Sequence, residues 1–159
     1  MFQVGVLLLA AGTSRRFGGD KRAAVMPNGK TVLAMTLDNI KQTDLPLKLC
    51  LTDSDRDLAS NLDLDQQQLI FCRNSANGMG ATLADGMAQI EGWQGVIIAL
   101  GDMPWVQPQT YSTLRDSLAK DIVCIPTYKG RRGNPVAFGA QFYDDLRYSS
   151  GDKGARDLI

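Results

Sequence analysis

The sequence contains no histidine. This removes the commonest general base, the Ser-His and Cys-His nucleophile systems, and most catalytic zinc sites. Any chemistry must run on carboxylates, cations and a metal held through oxygen. Net charge is lacking too: 17 Lys and Arg balance 17 Asp and Glu. That argues against a general nucleic-acid or membrane-surface binder. No apolar run approaches a membrane span, and Met1 to Val6 lacks the basic start of a signal peptide. Cysteine is scarce. Cys50, Cys72 and Cys124 are odd in number and widely spaced. Cys50 and Cys124 fall in expected buried strands and Cys72 closes one. They read as reduced core thiols of a cytoplasmic protein, not as disulfides or zinc ligands.

What is present is an ordinary soluble composition over 159 residues, with 44% apolar and 21% charged residues. This suffices for one α/β domain with a core. Strand-like runs are expected at Val4–Leu9, Leu47–Leu51, Leu69–Cys72, Val96–Leu100 and Ile122–Ile125, with a possible edge strand at Pro135–Phe138. Helical spacing appears over Val32–Ile40, at Met79, Leu83, Met87 and Ile90, from Pro108 through Tyr111, Leu114 and Leu118, and over Phe142–Leu146. Strands alternating with helices predict a mainly parallel, twisted sheet covered on both faces. Ligands of such sheets bind beyond the carboxyl ends of the strands. No repeat or linker divides the chain, so 1–159 reads as one domain. It ends at Ile159 inside an expected helix start, so the C-terminal end of the domain is expected to be incomplete.

The polar, glycine-rich segments follow strands, as that rule requires. The first, Leu9–Lys21, reads L-A-A-G-T-S-R-R-F-G-G-D-K. Its glycines (Gly12, Gly18, Gly19) let backbone approach an anion, and Arg16 and Lys21 offset the charge, with Ser14 in the same loop. It reads as the cradle of a nucleoside triphosphate. It is not a Walker loop, because five residues separate Gly12 from Gly18 and Lys21 precedes Arg22. The plain alternative is a glycine-rich turn with solvated charges. Asp102 follows V-I-I-A-L-G and precedes Met103-Pro104. A carboxylate there faces the ligand crevice and suits Mg²⁺, which takes one or two protein carboxylates plus phosphate and water oxygens. Asp102 lies too far before Pro108 to cap the next helix. Asn74–Gly80 leads into a helix near Ala81, with Thr82 in its first turn. Its free N–H groups would suit an anion or the nucleoside. Capping by Asn77 is the plain alternative. Lys129–Asn134 (K-G-R-R-G-N) is either a solvated hairpin tip or a source of cations for an anionic second substrate.

Together these segments resemble the molybdenum-cofactor cytidylyltransferase family, within the nucleotidyltransferase group that includes the guanylyltransferase of the same pathway. The matching pieces are the 9–21 segment, N-G-M-G-A-T-L at 77–83, G-D-M-P at 101–104, G-N-P-V at 133–136 and G-D-K-G-A-R at 151–156. The resemblance implies a three-layer Rossmann-like nucleotidyltransferase fold. It implies transfer of CMP from CTP to the phosphate of molybdopterin cofactor, with Mg²⁺, releasing pyrophosphate. Carried over, Leu9, Ala10, Ala11, Gly12, Ser14, Gly18, Asn74, Gly78, Gly80, Thr82 and Gly101 would line the nucleotide. Arg16, Lys21 and Asp102 would be catalytic, Asp102 as the metal ligand. Asn134, Pro135, Asp152 and Arg156 would face the acceptor. Ala10-Ala11-Gly12 stands where guanylyl relatives typically show Ala-Gly-Gly, which points to cytosine. A recipient molybdoenzyme would be a transient partner, in the cytoplasm, with no nucleic acid or membrane involved. Competing expectations are a transferase using GTP or another acceptor phosphate, a non-catalytic carrier of the pterin cofactor, and a generic α/β nucleotide-binding or interaction protein.

Overall fold

The computed structural model describes residues 2–12 and 22–150 in full, and the backbone of Lys21. In chain order the elements are β1 (Val4–Leu9), α1 (Val32–Lys41), β2 (Leu47–Thr52), α2 (Arg56–Ser60), β3 (Leu69–Cys72), α3 (Met79–Met87), β4 (Gly95–Leu100), α4 (Pro108–Ser117), β5 (Val123–Cys124), β6 (Thr127–Tyr128), β7 (Arg131–Arg132), β8 (Val136–Gly139) and α5 (Tyr143–Arg147). Six strands form one mixed sheet in the order β3-β2-β1-β4-β8-β5. The first four are parallel, while β8 runs antiparallel to both β4 and β5.

The apolar pattern dictates the layers. All six residues of β1 are buried, as a strand covered on both faces must be. Val4, Val6 and Leu8 pack with Leu33, Leu37 and Ile40 of α1 and with Tyr111 and Leu114 of α4. Leu7 and Leu9 point the other way, onto Leu83 and Met87 of α3 and Leu146 of α5. This period-2 alternation makes the α/β three-layer arrangement expected from the sequence. Helix ends follow their local chemistry. The Thr31 hydroxyl accepts from the Ala34 amide at 3.1 Å to cap α1, and Pro108 opens α4 at a position that needs no N–H donor.

Three expectations need correction. The strand at 136–139 is interior, not an edge: β4 and β5 flank it and all four residues are buried. The edge is β5, only two residues long, so Cys124 is half-buried and not a core thiol. Met79 is 41% exposed, because the buried face of α3 is Gly80, Thr82, Leu83, Gly86 and Met87.

Candidate active site

The strand order reverses between β1 and β4. From β1 the chain steps outward to β2 and β3, then returns across to β4 on the other side. This switch point leaves a crevice beyond the carboxyl ends of two adjacent parallel strands. β1 empties into Ala10–Gly12 there, and β4 into Gly101–Asp102. The two loops are tied together, since the Gly101 amide donates to the Leu9 carbonyl at 2.9 Å. They are also in close approach: a Cβ on Gly101 would lie 2.8 Å from the Ala10 Cβ.

Helix α1 holds the Asp102 turn from below. Thr36, fully buried, has its hydroxyl 2.9 Å from the Val32 carbonyl and 3.2 Å from that of Gly101. Asn39 donates to the Pro104 carbonyl at 2.8 Å. Asp102 sits half-buried on this anchored turn, and the cap of α4 is Gln107, not Asp102.

The first loop is held from the β2 side. The Ala10 amide donates to the Cys50 carbonyl at 2.9 Å, and the Ala10 carbonyl accepts from Arg22 Nη1 at 2.7 Å. Arg22 also makes a two-pronged pair with Asp55, at 2.7 and 3.0 Å, with side chains only 13% and 11% exposed. Asp55 Oδ2 accepts as well from the Thr52 amide at 2.9 Å and hydroxyl at 2.8 Å. Burial alone would raise the Asp55 carboxyl. The Arg22 and Thr52 hydrogen bonds more than offset this and hold it below its ordinary value. Beyond Ala10, Ala11 is buried while Gly12 is exposed, and a Cβ on Gly12 would meet nothing among the described residues within 4 Å.

At α3 the N-cap is Gly78, with φ 109° and ψ 177°, a backbone state suited to glycine. Among the described residues no side chain caps this end, and Asn77 lies in the preceding 3-10 turn. Asn74 is tied by its amide and side chain to Asp85, both at 2.9 Å. Thr82 is buried, with its hydroxyl donating to the Gly78 carbonyl at 3.4 Å, so it is turned into its own helix. Gly80 lies directly against the Ser150 backbone, which a Cβ would strike.

On the other side of β4, antiparallel β8 starts at the crevice end, because Val136 pairs with Ile98. This brings exposed Asn134 and buried Pro135, joined by a cis peptide bond, to the same end of the sheet as Asp102. The β6–β7 hairpin projects just before them. Lys129 and Gly130, at φ 51° and 79°, make its turn, and Lys129, Arg131 and Arg132 are exposed. The structure thus gathers Leu9, Ala10, Ala11, Gly12, Gly101, Asp102, Asn134 and Pro135 at one sheet end. Ser14, Arg16, Gly18, Asp152, Arg156 and the Lys21 side chain lie outside the described residues.

Four residues escaped the sequence reading: Arg22, Asp55, Thr36 and Asn39. Two left signals. Thr52 and Asp55 have capping-box spacing, and Thr36 and Asn39 interrupt the apolar face of α1 three residues apart.

The donor chemistry fits a hard divalent ion. Asp102 carries one carboxylate just beyond the end of β4, and its oxygens would suit an ion such as Mg²⁺, which takes one or two protein carboxylates with phosphate and water oxygens. Among the described residues no three His, Cys, Asp or Glu gather as a closed metal cage.

The sequence pattern of the MobA-like NTP transferase domain matches residues 6–159. The chain belongs to that family. Structural comparison agrees. Rv0371c from Mycobacterium tuberculosis H37Rv superposes with a TM-score of 0.86 at 27% identity, covering 98% of this chain and 81% of that one. The crystal structure of the same protein with manganese gives 0.82 at 25% identity, with the same coverage. The bifunctional protein GlmU of Corynebacterium glutamicum is 25% identical over 146 residues, 87% of this chain. The chain spans only 30% of that protein's length. A molybdopterin-guanine dinucleotide biosynthesis protein A from Archaeoglobus fulgidus, at 19% identity and a TM-score of 0.66 over 89% of this chain and 70% of that one, shares the fold.

Proposed function

We propose that this protein is a divalent-metal-dependent nucleotidyltransferase that moves CMP from CTP to the phosphate of molybdopterin cofactor. The observation that carries this reading is the tied pair of loops at the β1/β4 switch point, one glycine-rich and one bearing Asp102. Ala10–Gly12 would lie along the nucleoside, where exposed Gly12 leaves room for close approach. Lys21 and Arg16 would hold the triphosphate. Asp102 would hold Mg²⁺, which when bound neutralises charge on the α-phosphate and on departing pyrophosphate. The manganese held by the mycobacterial relative supports a divalent ion in this fold. The acceptor would enter past Asn134, Pro135 and the basic hairpin, with Asp152 and Arg156 facing it.

The reaction needs little from the protein beyond placement. An oxygen of the acceptor phosphate attacks the α-phosphorus, and the bond to the β-phosphate bridge breaks. That oxygen is already ionised at neutral pH, so no general base is needed and the lack of histidine is no obstacle. The chain's work is to hold two anions in line and mask their repulsion. For base choice, the Ala11 methyl is buried at 2% exposure. Its effect would come through the level of the loop backbone, which leaves cytosine room and crowds guanine. The reading also places the protein in the cytoplasm, with a recipient molybdoenzyme as transient partner. Among the described residues no helix is long and apolar enough to cross a membrane.

The test is pyrophosphate release from CTP or GTP with molybdopterin cofactor and Mg²⁺ or Mn²⁺. Release with CTP is expected. Preference for GTP overturns the cytidylyl assignment. Tight pterin binding with no release from either nucleotide makes the protein a carrier.

A further inference from the structure

We infer that Arg22, clasped by Asp55, is a positioning residue that fixes the first loop and leaves base recognition to Ala11 and Gly12. The inference rests on the nucleotidyltransferase reading for its ligand, though not for its geometry. A guanidinium keeps its charge at any working pH, so burying one demands partners. Arg22 takes two from Asp55 and a third from the Ala10 carbonyl. Asp55 is fixed in turn by the Thr52 amide and hydroxyl at the end of β2. The Ala10 amide reaches back to Cys50 on that same strand. The result is a closed circuit, Ala10–Arg22–Asp55–Thr52 and Cys50–Ala10, across the carboxyl ends of β1 and β2.

Two consequences follow. The Ala10 amide is engaged with Cys50, and one side of its carbonyl faces Arg22. Hydrogen-bond reading of a base edge therefore falls to Ala11 and Gly12, whose backbone groups have no hydrogen-bond partner among the described residues. The second concerns Arg22. Although it adjoins Lys21 in a loop rich in cations, its guanidinium is turned into the protein and bonded to a backbone carbonyl. Its task is placement of the loop, and triphosphate binding is left to other cations. Lysine could not replace it, because one ammonium cannot span the planar, two-pronged carboxylate contact and also hold the carbonyl.

The experiment uses the whole protein and the variants Arg22→Ala, Arg22→Lys and Asp55→Asn, each first checked for folding by circular dichroism. Ligand-free amide exchange at Ala10 should speed up by about tenfold or more in Arg22→Ala. Calorimetric binding then uses CTP, GTP and inorganic tripolyphosphate. The CTP-to-GTP affinity ratio should fall by about threefold or more, and tripolyphosphate affinity should stay within about twofold. Arg22→Lys should behave as Arg22→Ala does, and Asp55→Asn should shift both readouts the same way by less. If Arg22→Ala does not fold, the other two carry the test. Tripolyphosphate affinity falling as far as that of CTP would make Arg22 a phosphate ligand and overturn the inference. Unchanged exchange and an unchanged base ratio would reduce the pair to a structural ion pair. Wild-type protein that binds neither nucleotide refutes the function reading and the base-recognition half of the inference, while exchange still decides the clasp.

Discussion

Substituting Gly101 by alanine should damage the site more than the fold. The added methyl would lie 2.8 Å from the Ala10 Cβ and 3.4 Å from both the Ala10 Cα and Leu33 Cδ1. Carbon atoms rest at about 3.5–4.0 Å, so the loops after β1 and β4 must part by roughly 0.7–1.2 Å. Gly101 has little freedom to yield, since its amide is bonded to Leu9 and its carbonyl faces Thr36. Overpacking of this kind costs about 1–3 kcal/mol. For a chain of this size that lowers Tm by roughly 2–12 °C. The same displacement separates the Ala10–Gly12 loop from the Asp102 turn, and a misplacement near 1 Å can cost about a hundredfold in rate. Gly12→Ala is the internal control, because its methyl meets nothing among the described residues within 4 Å. It should leave Tm within about 2 °C or raise it slightly, yet weaken nucleotide binding by filling the space of close approach. The assays are thermal unfolding by circular dichroism and pyrophosphate release under kcat/KM conditions. Gly101→Ala with wild-type Tm and wild-type kcat/KM would refute the claim that these two loops must touch.

Three further outcomes are expected. Asp102→Asn, nearly isosteric, should keep the wild-type Tm but lose roughly a hundred- to a thousandfold in turnover; near-normal turnover at saturating Mg²⁺ removes Asp102 from the metal site. Ala11→Gly should narrow the CTP-to-GTP ratio of kcat/KM mainly by improving GTP, and a ratio that does not move places base selection in another segment. The Asp55 carboxyl is held below its unfolded value, so its stabilisation is present at neutral pH and is lost as pH falls through the folded value; Asp55→Asn should lower Tm near pH 7 and flatten its acid fall, whereas a curve parallel to wild type refutes that linkage.

The elements legible in the sequence were those whose pattern is local. The run at Val4–Leu9 is apolar throughout, and a strand buried on both faces leaves no other reading at that length. Leu33, Leu37 and Ile40 repeat at helical spacing, and Pro108 marks a helix start by its missing donor. The strand at Val136–Gly139 was legible as a strand but not by position. A four-residue run carries no information about which strands will flank it, and antiparallel placement beside β4 is a property of the whole sheet. Cys124 was misplaced for the same reason: an apolar stretch at an edge looks like one in the centre. The candidate site divided along the same line. Asp102, Gly101, Ala11 and Gly12 were visible because glycines and a carboxylate directly after a buried strand are unusual there. Arg22 and Asp55 were not, since they lie 33 positions apart in the chain and only the parallel pairing of β1 with β2 brings them together.

The residues that escaped the sequence reading share a physical role. Thr36, Asn39, Arg22 and Asp55 are buried or nearly so, and three of them end on backbone carbonyls: Gly101, Pro104 and Ala10. The fourth, Asp55, fixes Arg22. Burying such groups costs free energy unless each is bonded, and apolar side chains would fill the same space more cheaply. What apolar side chains cannot do is fix a loop carbonyl in one place. A site whose chemistry is mainly electrostatic depends on donors and charges already in position before substrate arrives, because any reorganisation during the reaction adds to the barrier. Polar side chains buried beneath the crevice, aimed at its backbone and away from its ligand, are what that requirement looks like in a chain with no histidine to do proton chemistry.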